Sequence, residues 1–262
     1  MNYGKRSTSK KQKSMHSKSA KAGKKASVIF IKAFLVCLLA AGVIGLCAGI
    51  GIVKGVIDNA PDIDSTSVIP RGYKSVMVDS DGNKMAELIT AGSNRVWVDI
   101  DNIPEHVQKA FVDVEDERFY EHNGIDLKGI VRAGVKGIAS GFKKTEGAST
   151  ITQQLLKNSV FDFMSEDTLV EKIERKLQEQ YLALELEKIM TKDEILEAYL
   201  NTINLGQNTL GIQAAANRYF NKDVSDLTLI ECAAIASITN APTKYDPVLN
   251  PEKQAERRNS IL

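Results

Sequence analysis

The sequence predicts a mainly α protein: one transmembrane helix, a small β-containing linker and a helical domain. Three observations predict it. Residues 28–53 form an almost unbroken apolar run, long enough to span a hydrocarbon core of ~30 Å. From residue 105 onward, apolar residues recur at helical spacing in one segment after another. Between these regions, two short strand-like runs flank a turn signal near residues 80–83. With 262 residues, 43% hydrophobic and 6% aromatic, the chain has room for one sizeable domain plus appendages.

Residues 1–26 are rich in Lys, Ser and Gly and lack apolar periodicity, so they read as a disordered basic tail. The net charge of +1 conceals nine Lys or Arg and no acid in residues 1–25. The apolar run that follows argues against a nucleic-acid-binding arm. It is assigned as an anchor helix over residues 27–54. A cleaved signal peptide has a shorter apolar region and a small-residue cleavage site, so the anchor is expected to stay. Lys54 alone follows it before Asp58, Asp62 and Asp64. The positive-inside rule then places the tail in the cytoplasm and residues 55–262 outside, on a single-pass cell-membrane protein. Cys37, Cys47 and Cys232 give no disulfide framework and read as small hydrophobes.

Residues 55–102 read as a linker with short strands. Ser75–Asp79 and Lys84–Leu88 flank Ser80-Asp81-Gly82-Asn83, a hairpin signal. Arg95–Ile100 is expected as a third short strand, and Asn102 as a helix N-cap with Pro104 in the first turn.

The domain proper is assigned to residues 103–262. Val107, Ala110, Phe111 and Val114 follow the spacing of a buried helical stripe. Glu115 falls on the edge of that stripe, whereas Asp113, Asp116 and Glu117 are expected to point toward solvent. Partial desolvation makes a carboxylate a better proton acceptor near neutral pH; the alternative is an acid closing the polar side of an ordinary helix. Leu127, Ile130, Val131, Gly134, Ile138 and Phe142 then recur at helical spacing, with Lys128, Arg132, Lys136, Lys143 and Lys144 mostly opposite. Such a basic amphipathic segment suits a membrane interface or the surface of a core.

Residues 145–158 are the second informative stretch. Ser149 or Thr150 can cap a helix, and Thr150 with Gln153 has capping-box spacing. The free N–H groups of that first turn make an anion site, with Lys157 two turns further in. Residues 168–190 read as a long helix with Ile173, Leu177, Leu184 and Ile189 near one face. Arg175 and Glu179 are i, i+4 partners on it, either a surface ion pair or a second carboxylate flanked by cations. Helical patterns continue over 192–200, 212–220 and 227–237, a loop with three prolines spans 240–251, and a last helix signal starts at Ala255. An end inside a helix signal is the expected mark of a fragment of a longer chain.

These motifs resemble the glycosyltransferase domain of class A penicillin-binding proteins, the peptidoglycan glycosyltransferases of glycosyltransferase family 51. The first is similar to Glu115-Asp116-x-x-Phe119-x-x-His122-x-Gly124-x-Asp126, the second to Gly147-Ala148-Ser149-Thr150-Ile151-Thr152-Gln153-Gln154-Leu155-x-Lys157-Asn158. The third is similar to Arg175-Lys176-x-x-Glu179. The fourth is similar to Lys192-x-x-Ile195-Leu196-Glu197-x-Tyr199-Leu200-Asn201 with Gly206 and Gly211-Ile212. The fifth covers Ala215 to Lys222 and Ala233 to Pro247. They stand in family order across residues 104–258; Gly147-Ala148 departs slightly from the common Gly-Gly.

The resemblance implies a mainly α, lysozyme-like glycosyltransferase fold and polymerisation of lipid II into β-1,4 glycan strands, with inversion and release of undecaprenyl diphosphate. It implies Glu115 as the base for the acceptor 4-hydroxyl and Glu179 acting at the donor side. Ser149, Thr150, Gln153, Gln154, Lys157, Asn158, Arg175 and Lys176 would hold substrate. Asp116, Phe119, His122 and Asp126 would shape the cleft around Glu115. No cofactor is certain; a divalent cation, Mg or Mn, is compatible, with Glu179 its candidate ligand. Partners implied are lipid II, the growing strand and membrane lipid, with cell-wall elongation or division proteins as candidates and no nucleic acid. A lysozyme-like hydrolase and a non-catalytic lipid II-binding scaffold are the rival readings. The chain has no Ser-x-x-Lys followed by Ser-x-Asn and Lys-Thr-Gly, the motif set of a transpeptidase.

Overall fold

The computed structural model describes Lys13 and residues 18–70, 72–90, 92–141, 147–161 and 168–262. It divides into two units, residues 1–58 and 59–262. The expected disorder of residues 1–12 and 14–17, and the Phe142, Lys143 and Lys144 end of the amphipathic segment, lie outside the described residues.

The first unit holds α1, Lys18–Asp58. It begins earlier than the expected residue 27, because Lys and Ala are strong helix formers and extending a helix avoids the cost of nucleation. Among the described residues it is the one helix long and apolar enough to cross a bilayer.

In the second unit, β1 (Ser75–Val78) and β2 (Lys84–Leu88) pair antiparallel, as expected. Asp79 closes the turn by accepting the N–H groups of Asp81 and Asn83 at 2.9 and 2.8 Å. The expected third strand does not form. Residues 94–99 form neither helix nor strand; Val98 exchanges hydrogen bonds with the side chain of Asn201, at 2.9 and 2.8 Å, instead of joining a ladder. Nor does Asn102 cap a helix. It ends a 3-10 turn, Ile100–Asn102, and α2 (Glu105–Glu115) starts after Pro104, without a side-chain cap.

The helices that follow are α3 (Leu127–Ala139), α4 (Ile151–Ser159), α5 (Leu169–Ile189), α6 (Lys192–Thr202), α7 (Ile212–Phe220), α8 (Leu229–Ala236) and α9 (Pro251–Ile261). Helix α4 packs against α5 and α6, and α2 packs against α8. Val107 and Phe111 of α2, Leu155 and Leu156 of α4, and Tyr199 and Leu200 of α6 are among the side chains withdrawn completely from solvent. Thr168, Thr191 and Thr228 start α5, α6 and α8 with reciprocal capping boxes to Glu171, Glu194 and Glu231.

One expectation about a buried face is corrected. The buried face of α5 is Glu179, Leu182, Ala183 and Leu186; Ile173, Leu184 and Ile189 are exposed. Spacing revealed an apolar stripe, but the packed face carries a carboxylate that no hydropathy pattern would put inside. Helix α3 turns Gly129 and Gly137 inward and leaves Leu127, Val131, Val135 and Ile138 in the open.

Candidate active site

Glu115 is the last residue of α2 and half-buried. Gln154 Nε2 donates to its Oε2 at 2.9 Å, and the Thr239 hydroxyl donates to its Oε1. Gln154 is held in turn by Tyr199, whose hydroxyl donates to Gln154 Oε1 at 3.3 Å. Burial pushes the Tyr199 phenol well above its ordinary range, and the charges of Glu115 and Asp116 push it further. Tyr199 therefore stays a proton donor, which fixes the amide of Gln154 with its N–H toward Glu115.

Asp116 does not point to solvent as expected; it is 7% exposed. Its carboxylate accepts the Ile151 N–H at 3.0 Å and lies 3.0 Å from His122 Nε2. A carboxylate at the first turn of α4 satisfies a free N–H and opposes the positive end of the helix dipole. His122 Nδ1 is buried without a hydrogen-bond partner. Phe119 is wholly buried in the core, and Lys192 Nζ stands 4.4 Å above its ring. Asp126 caps α3 by accepting the Gly129 N–H at 2.9 Å and pairs with Arg118. Burial raises the Asp126 carboxyl, but the Arg118 and Gly129 hydrogen bonds outweigh it and hold it below the ordinary range.

Thr150 is the N-cap of α4, accepting the Gln153 N–H at 3.2 Å. The Gln153 side chain does not complete a capping box. Its Nε2 donates to Gly124 O at 3.3 Å, and Thr150 Oγ1 donates to the same carbonyl at 2.7 Å. Gly124 has φ +82°, and a Cβ there would sit 2.5 Å from Ala183 O. The turn after Glu115, the start of α4 and the middle of α5 thus meet at one glycine.

Glu179 is completely buried. Arg175 pairs with its Oε1, and Lys176 Nζ lies 2.7 Å from its Oε2 and donates to Ser149 Oγ at 2.9 Å. Both carboxylate oxygens are covered by cations, and no group of three His, Cys, Asp or Glu among the described residues could hold a metal ion. This donor set does not fit a divalent cation at Glu179: the ammonium and guanidinium already supply the positive charge, and no second carboxylate converges there.

Two hollows open on these groups. The smaller, about 130 Å³, is lined by Glu115, Asp116, Asp126, Arg132, Ser149 and Thr150 among others. The larger, about 1330 Å³, is lined by Lys157, Asn158, Lys172, Arg175, Asn204 and Thr243 among others. Glu179 lines neither, but Lys176 ties it to Ser149 in the first and it pairs with Arg175 in the second. The structure therefore brings Glu115, Ser149 and Thr150 to one hollow, sets Lys157, Asn158 and Arg175 at the other, and buries Phe119, Gln153 and Glu179 as supports. Thr239 and the hydroxyl of Tyr199 were not among the expected site residues. Tyr199 stands in the fourth motif, where a phenol on a buried face was a readable signal; Thr239 falls within the fifth, but nothing in its local spacing marked it.

A family model described as transglycosylase matches residues 81–262. The chain is similar to penicillin-binding protein 1A of Clostridium perfringens (strain 13 / Type A), 43% identical over 242 residues, which cover 89% of this chain and 34% of that protein. It is also similar to penicillin-binding protein 1F of Bacillus subtilis (strain 168), 47% identical over 188 residues, 72% of this chain and 25% of that one. Penicillin-binding protein 1A/1B of the same bacterium is 38% identical over 262 residues, 99% of this chain and 28% of that one. The chain spans about a third or less of the length of these curated relatives.

Proposed function

The chain belongs to the transglycosylase family, and from that premise we propose that it is a peptidoglycan glycosyltransferase that polymerises lipid II in cell-wall synthesis. The observation that carries this reading is the placement of Glu115. Its carboxylate lines a hollow shared with Ser149 and Thr150 and is held at both oxygens, and Ser149 accepts a hydrogen bond from Lys176, which with Arg175 pairs Glu179.

In this reading Glu115 takes the proton of the acceptor 4-hydroxyl as that oxygen bonds to the donor anomeric carbon. The bond to phosphate breaks with its electron pair, and the diphosphate leaves against Lys176, Arg175 and Lys157. A positioned base of this kind contributes typically ~10²–10⁴ in rate, and cations fixed where charge develops contribute further. Glu179 acts through the two cations it holds, rather than on substrate itself. The substrate keeps a polyprenyl tail in the bilayer. The exposed apolar side chains of α3, interleaved with Lys128, Arg132 and Lys136, suit an interfacial seat for the domain. Helix α1 serves as the anchor, with the basic tail in the cytoplasm and the catalytic domain outside.

The test is turnover of labelled lipid II in detergent micelles. Glu115→Gln is expected to abolish polymer while lipid II binding survives. Soluble muropeptides released from finished wall, without polymer, would instead mean hydrolysis. Retained cellular function in Glu115→Gln would mean a scaffold.

A further inference from the structure

Thr239 lies in the turn that follows α8, 124 residues from Glu115 in sequence, and no motif assigned it a role. Its hydroxyl has two acceptors in reach: Glu115 Oε1 and the carbonyl of Ala236, the latter at 2.8 Å. A threonine hydroxyl carries one proton and two lone pairs. It can give its proton to only one of these acceptors at a time. The other contact on Glu115 is different in kind, since Gln154 Nε2 can only donate and is locked by Tyr199.

From this geometry we infer that Thr239 is a positioning residue for the base, a hydroxyl rotor that matches both protonation states of Glu115. The inference rests on Glu115 being the base. When Glu115 is ionised, Thr239 donates to Oε1 and Gln154 donates to Oε2, which fixes the carboxylate plane and leaves a lone pair toward the hollow. When the acceptor hydroxyl has given its proton to the carboxyl and Oε1 carries it, that oxygen becomes a donor and only a weak acceptor. Thr239 then turns its own proton to Ala236 O and offers an oxygen lone pair to the new O–H. No proton passes through Thr239; the proton taken from the sugar stays on Glu115 until solvent removes it. The cycle leaves no polar group of the base unpartnered, a state that costs heavily in a half-buried site.

The test compares Thr239→Val, which keeps the shape and removes the hydroxyl, with Thr239→Ser, which keeps the hydroxyl, in lipid II polymerisation by the full chain. Expected for Val is a fall in kcat of roughly tenfold or more, the scale of one lost hydrogen bond to a charged group, with KM for lipid II essentially unchanged. Ser is expected to retain kcat within about threefold, by the same scale. If Val does not fold, Thr239→Ala removes the hydroxyl without a branched side chain and is held to the same expectation. Wild-type kcat in Val or Ala, or a loss in Ser equal to that in Val, overturns the inference. Glu115→Gln is run alongside. If it still polymerises, the assignment of the base has failed; if it is inactive while Val is unimpaired, only the role of Thr239 has failed.

Discussion

Lys176 donates to Ser149 across 2.9 Å, and this bond ties the helix that carries the second carboxylate to the loop that opens α4. The same ammonium lies 2.7 Å from Glu179, so one cation serves a buried acid and a hydroxyl at the edge of the smaller hollow. Lys176→Met keeps the aliphatic stem and removes the charge. It is expected to raise KM for lipid II by at least about tenfold, one charge-assisted contact in magnitude. Because the Glu179 carboxylate it covers is completely buried, the melting temperature should fall as well. Steady-state kinetics beside a thermal melt separates the two; a large drop in melting temperature with unchanged KM would make Lys176 purely structural.

Asp116 is expected to matter for stability first. Its carboxylate joins the end of α2, the ring of His122 and the first turn of α4. Asp116→Ala leaves the Ile151 N–H and the His122 ring without that partner in a buried place, a loss of roughly 2–4 kcal/mol. Asp116→Asn retains one acceptor and should lose less. Urea unfolding of the three proteins checks the order; equal midpoints would refute it.

Much of the candidate site was legible because several of its groups sit at positions with local signatures. Glu115 ends an apolar stripe, Thr150 precedes a helix, and Arg175 and Glu179 are one turn apart. What could not be read depends on partners far away in sequence. Asp116 looks like a solvated acid on any helical wheel, and only the Ile151 N–H, 35 residues later, makes it a buried one. Residues 95–100 look like a strand, yet Val98 is paired by the side chain of Asn201, more than a hundred residues away, and strand patterns cannot announce that. The packed face of α5 departs from its apolar stripe because a wholly buried carboxylate, compensated by its own i−4 and i−3 neighbours, inverts the hydropathy rule.

Gly124 is required twice over. Its φ of +82° favours glycine, and an added Cβ would meet Ala183 O at 2.5 Å. Gly124→Ala is therefore expected to destabilise the domain by roughly 2–4 kcal/mol, combining backbone strain with a clash. Thr150 and Gln153 both donate to the Gly124 carbonyl, so activity should fall even below the melting temperature. Polymerisation assayed well under the transition checks this; full activity there would confine the effect to folding.

The Asp126–Arg118 pair predicts an acid-dependent stability. The folded Asp126 carboxyl lies below its ordinary range, so its contribution is complete above that range and is lost as pH falls through the folded value. Asp126→Asn keeps a helix cap but not the charge. The stability difference between wild type and Asp126→Asn should be constant from pH 7 to about 5 and shrink below about 4. Urea midpoints across that range test it; a difference that grows on acidification would reverse the sign.

Helix α3 yields the last prediction. Its glycine face is buried while Leu127, Val131, Val135 and Ile138 are 70, 65, 63 and 72% exposed. A soluble surface rarely presents such a row unless something covers it, and the Lys and Arg between these side chains suit anionic headgroups. Val131→Asp with Val135→Asp removes apolar contact and adds repulsion from an anionic surface without touching the core. Binding of residues 59–262 to phosphatidylglycerol vesicles is expected to drop at least about tenfold, since each buried aliphatic side chain contributes on the order of 1.5 kcal/mol or more. The melting temperature should be unchanged. If the double variant binds vesicles as well as wild type, the row on α3 is not the face that meets lipid.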